Sequence, residues 1–149
     1  MNTYEHTQPG TVLRLGLGLP AVLMLVFTPF IPNPAKAIFF VVSIILGLSI
    51  LLFHSLKVSI DENRLRLRAG VGLIKIEFPL KEISKACPVR NKWYHGWGIH
   101  LLANGYLYNV SGLDSVEIQL ISGAVHRIGT DEPSALSQAI NLALYSRGA

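Results

Sequence analysis

Two stretches of this chain contain no Asp, Glu, Lys or Arg: Leu15 to Pro34, and Ala37 to Leu56, where His54 is the one titratable side chain. About 20 apolar residues in a helix cross the hydrocarbon core of a bilayer, so each run is long enough to span one. Ionisable side chains inside a membrane mark ion and proton routes, and their absence here argues against a channel or pump built from this chain alone. Cysteine is almost missing too. Cys87 stands alone, which excludes an internal disulfide and a thiolate metal cluster and leaves a small hydrophobe. Charge of one sign is also scarce. From Lys57 onward there are eleven Lys/Arg against eight Asp/Glu, a surplus that suits a neighbour of anionic headgroups and is too small to point to nucleic acid.

Motifs for catalysis are lacking as well. His6, His54, His95, His100 and His126 do not share an HxxxH or CxxC-type spacing with any other ligand, so no metal site is expected. No serine sits in a Gly-x-Ser-x-Gly elbow. Gly16-Leu17-Gly18 falls within an apolar run rather than in a phosphate-binding loop. The reading is therefore of a protein that is not an enzyme and needs no cofactor.

What is present is a membrane hairpin followed by a water-soluble domain. Asn33-Pro34-Ala35-Lys36 breaks the two runs. Only one basic residue and Glu5 precede the first run, unlike a signal-peptide n-region. Pro20 is tolerable inside a membrane helix, whereas Pro29, Pro32 and Pro34 end it. The spans are expected near residues 13–30 and 37–53. Gly16, Gly18 and Ala21 on the first, and Ser43 and Gly47 on the second, allow close helix packing and a possible homo-oligomer seam. Arg14, Lys57, Arg64, Arg66 and Arg68 flank the spans on one side, and Lys36 alone lies on the other. The positive-inside rule then predicts a two-pass protein of the inner cell membrane with both termini cytoplasmic.

Residues 1–56 thus read as a tail plus hairpin, and residues 57–149 as one small domain. Arg64-Leu65-Arg66-Leu67-Arg68 alternates strictly, as do Ile74, Ile76 and Phe78 with Lys75 and Glu77, the pattern of half-buried strands. Asn104-Gly105 is a strong hairpin signal between 97–102 and 106–110, and Ser122-Gly123 separates 116–120 from 125–128. With Val58–Ile60 that makes about seven antiparallel strands in meander order, enough to curl into a barrel. Thr130-Asp131-Glu132-Pro133 starts a helix, whose stripe of Leu136, Ala139, Ile140, Ala143 and Leu144 should plug one barrel end before Gly148.

Gly96-Trp97-Gly98-Ile99, Asn104–Gly112, Val116–Leu120 and Ile128–Pro133 resemble bacterial membrane-anchored pleckstrin-homology-like proteins. That resemblance implies a fold class: a membrane α-helical hairpin plus an α+β, mainly β, barrel with a C-terminal helix. It assigns no activity to named residues.

Two surface features are candidate binding sites. Arg64, Arg66 and Arg68 could meet lipid headgroups, or could be a solvated strand face paired with residues such as Glu77. Arg90, Lys92, Trp93 and Tyr94 join aromatic and basic character on an expected loop, suited to a protein partner or a membrane interface. Trp97, just before a strand, is expected to pack inward. The functional expectation is a cytoplasmic binding or scaffolding module for a membrane or cytoplasmic protein. The alternatives are a sensor of anionic lipid and an accessory subunit of a larger membrane complex.

Overall fold

In the computed structural model, which describes residues 4–148, the apolar runs form two helices. Helix α1 spans Thr11–Phe27 and continues as a 3₁₀ turn over Thr28–Phe30, and α2 spans Ala35–Phe53. Both are long and apolar enough to cross a membrane, and most of their surface faces outward. The two buried positions of the hairpin are small, Ala21 on α1 and Ser43 on α2. Gly18 meets Ile50, but Gly16 and Gly47 face open space, so only part of the small-residue strip serves the helix pair.

All seven expected strands are present, joined by two that the sequence pattern did not reveal. The first, β1 (Tyr4–Pro9), precedes the hairpin and pairs antiparallel with β2 (Ser55–Ile60), which follows it. The helical hairpin is thus the connection between two neighbouring strands. Next come β3 (Arg64–Ala69) and β4 (Ile74–Pro79), completing a four-stranded sheet in the order β1-β2-β3-β4. The second unforeseen strand is β5 (Ile83–Arg90). It carries Pro88 and a register shift between Ile83 and Lys85, which blur its alternation. It lies at a sheet edge, where Pro is tolerated.

The remaining strands are β6 (Gly98–Leu102), β7 (Gly105–Asn109), β8 (Asp114–Leu120) and β9 (Val125–Gly129). They join β5 in a sheet ordered β5-β8-β9-β7-β6. The expected all-antiparallel meander is corrected here. After β7 the chain crosses to β8, β9 folds back between them, and β9 therefore runs parallel to β7. The strands form two separate sheets rather than a closed barrel.

The leucine side of β3 faces the core. Leu65 and Leu67 are fully buried and join Val58, Ile60, Val116, Ile118 and Ile128 in one cluster. Helix α3 (Pro133–Gly148) packs on β5 and β8 and touches β2, so it ties the two sheets together. Leu136 and Ile140, on its inner face, are completely buried. At its start the Thr130 hydroxyl accepts a hydrogen bond from the Glu132 N–H (3.1 Å), satisfying one of the donors that a helix N-terminus leaves open.

Candidate functional site

The domain meets the hairpin with one residue at each joint, Gly10 before α1 and His54 after α2. The Gly10 N–H donates to the His54 carbonyl (2.7 Å), and Arg14 Nε donates to the same oxygen (3.0 Å). A Cβ at position 10 would collide with the backbone of Phe53 and His54. The β3–β4 turn adds a third tie. Gly70 N–H donates to the Ser55 carbonyl (2.8 Å), and Val71 N–H to the Leu51 carbonyl inside α2 (3.2 Å). Gly70 has φ +55°, and a Cβ there would strike the Leu51 and Leu52 carbonyls. Only glycine lets the turn sit this close to the helix.

The arginine row runs along β3, away from this joint. Arg64, at the far end, bonds Glu77 through Nη1 (2.6 Å). Arg66 bridges Asp61 (Nη2–Oδ2, 2.8 Å) and Glu77 (Nε–Oε1, 3.4 Å). The Arg64 hydrogen bond holds the Glu77 carboxyl below its usual range, and the Asn63 backbone N–H does the same for Asp61. Two of the three arginines are therefore engaged by acids, Glu77 on the neighbouring strand and Asp61 in the β2–β3 turn. Arg68 is exposed and differs. Its cross-strand neighbours are Lys57 on β2 and Lys75 on β4.

Arg90, Lys92, Trp93 and Tyr94 lie at the end of β5 and in the following 3₁₀ turn (Trp93–His95). Trp93 and Tyr94 are 76% and 59% exposed, which leaves both rings available for contact. Lys92 Nζ lies 5.6 Å from the centre of the Tyr94 ring, and the Trp93 and Tyr94 rings meet edge-on at 6.2 Å. Trp97 is half-buried and donates through Nε1 to the Gly112 carbonyl (3.0 Å). Ser111, beside it, accepts from Gln8 Nε2 (2.9 Å) at the end of β1. The aromatic loop therefore lies on the same end of the domain as the hairpin, a placement that the linear sequence does not contain.

Between the unpaired edges of β4 and β6 runs a narrow apolar crevice lined by Phe53, Ile74, Ile76, Ile99 and Tyr108. Beyond Tyr108, the half-buried His126 sits among the rings of Phe78, Tyr106 and Tyr108 at 4.9–6.1 Å. Burial pushes its imidazole below the ordinary histidine value. Among the described residues, no group of three or more His, Cys, Asp or Glu side chains is placed to hold a metal ion. No protein-family model matches this sequence, and no curated protein matches it.

Proposed function

We propose that the protein is a membrane-fixed, non-catalytic binding module whose pleckstrin-homology-like domain presents its hairpin-end loop to a protein partner at the cytoplasmic face of the inner membrane. The observation that carries this reading is the linkerless joint. A hairpin spliced between two paired strands and bonded at Gly10, His54 and Leu51 gives the domain one height and one orientation on the bilayer. A tethered module searches for its target at the end of a flexible chain, whereas this one waits in place, so its partner must reach the same layer. The exposed Trp93 and Tyr94, with Lys92 and Arg90 beside them, supply residue types that dominate binding energy in interfaces. The four-stranded antiparallel sheet, the second sheet and the terminal helix that ties them support the pleckstrin-homology-like assignment.

The test is capture from detergent-solubilised membranes with the full chain as bait. Trp93→Ala with Tyr94→Ala should remove protein partners while the chain stays inserted and folded, since truncating such anchors typically costs about 2 kcal/mol or more each. A double variant that keeps every partner places the binding face elsewhere.

A further inference from the structure

On the outer face of the first sheet, the last row of side chains before the hairpin that crosses all four strands reads Thr7, Lys57, Arg68, Lys75. Three cations stand side by side in cross-strand register. Like charges directly opposite one another destabilise a sheet, and the next row out shows the usual remedy, with Arg66 opposite Glu77 and ion-paired with it (Nε–Oε1, 3.4 Å). In the row that holds Arg68, Lys57 is bonded to Glu5 (2.7 Å). Arg68 and Lys75 are both exposed, and among the described residues neither forms an ion pair.

The turn that joins β3 to β4 just beyond this row is apolar and uncovered. Val71 is 59% and Leu73 74% exposed, yet Val71 is bonded to Leu51, within the last turn of α2. A 19-residue helix is about 28 Å long, close to the thickness of the hydrocarbon core. The turn therefore lies at the depth where hydrocarbon ends. Arg68 and Lys75 are one residue pair further out than Ala69 and Ile74, about 3 Å per residue along the strands, in the layer of lipid phosphates.

We infer that the Val71–Leu73 turn inserts into the boundary of the anchoring bilayer and that Arg68 and Lys75, with Lys57 beside them, bind the phosphates of anionic phospholipid headgroups. The lipid supplies the negative charge that the sheet omits from this row. This separates the arginine row by depth: Arg68 serves the membrane, while Arg64 and Arg66 serve the sheet. The inference rests on the membrane hairpin and not on the protein partner, so either can fail without the other.

The experiment uses the full chain reconstituted in vesicles of phosphatidylcholine, alone or mixed with phosphatidylglycerol, and compares wild type with Arg68→Gln/Lys75→Gln and with Arg64→Gln. A ligand that binds the native state raises its stability, so wild type should melt higher in the mixed vesicles. The double variant should lose that difference and melt above wild type in phosphatidylcholine alone, because its like charges are gone. Arg64→Gln should keep the difference. Preference for phosphatidylglycerol among co-purified lipids should fall about fivefold for each base removed. Leu73→Trp should gain fluorescence that lipids brominated near the glycerol end quench. The inference is overturned by equal wild-type stability in the two vesicles, by a double variant that keeps its lipid preference, or by an unquenched Trp at position 73. Inorganic phosphate added to phosphatidylcholine vesicles should not reproduce the stabilisation, and if it does, the site takes a free anion and the lipid assignment fails.

Discussion

At the scale of the residue, the largest effects belong to side chains that the fold encloses. Ile140 is fully buried between α3 and the sheets, and its truncation to Ala should cost about 2–5 kcal/mol through lost burial and the cavity left behind. Thermal or denaturant unfolding of the full chain in micelles measures this, and an unchanged transition would mean that α3 does not seal the core. His126 gives a pH signature. In the unfolded chain its pKa is near 6.5, and burial lowers it in the fold. Above about pH 6.5 both forms are neutral and the group contributes nothing. As pH falls from there toward the lowered folded value, the unfolded chain takes up a proton that the folded chain refuses, and stability declines. His126→Phe should flatten that part of the stability curve, read as a smaller loss of Tm between pH 7 and pH 5 than wild type shows.

At the scale of the element, β1 is the strand whose role is least local. Its six residues pair with residues far along the chain, from Tyr4 opposite Ile60 to Pro9 opposite Ser55 across the whole hairpin. Gln8 is buried and donates to the Ser111 carbonyl in the loop between β7 and β8 of the second sheet, so β1 also stitches the two sheets at the joint. Deleting Tyr4–Pro9 should bare the edge of β2 and open that corner, while α1 and α2 stay inserted. Limited proteolysis of the full chain in micelles should then cut faster within β2 to β4. An unaltered digestion pattern would show that β1 is dispensable to the cooperative unit.

For the whole molecule, the pairing of β1 with β2 has a topological consequence. Residues on either side of the hairpin share a sheet, so both must lie on the same face of the membrane if the hairpin crosses it twice. The positive-inside rule, applied to the basic residues around the joint, predicts that this face is cytoplasmic. Reporters that work only in the cytoplasm should be active at both termini, and those that work only outside should be silent. Activity on opposite faces would be incompatible with the β1–β2 pairing.

The elements that could be read from the sequence are those whose signal is carried by near neighbours along the chain. Charge-free runs of 20 residues, the Arg-Leu alternation of β3 and the 3.6-residue stripe of α3 each encode burial locally, and the observed helices and seven of the strands follow them closely. β5 escaped because Pro88 and a register shift interrupt its period, and β1 because six short, mostly polar residues gain meaning only from β2. The candidate surfaces show the same division. Composition picked out the arginines and the aromatic loop, but which arginine lacks an acid depends on cross-strand register, and register joins residues that hydrophobic pattern alone does not pair. Tertiary structure alone decided that Arg68 stands between two lysines, that the Val71–Leu73 turn touches α2, and that Trp93 and Tyr94 share the hairpin's end of the domain. A strand's period tells which face is buried; which neighbours that face and its opposite will meet is settled only when the sheet is assembled.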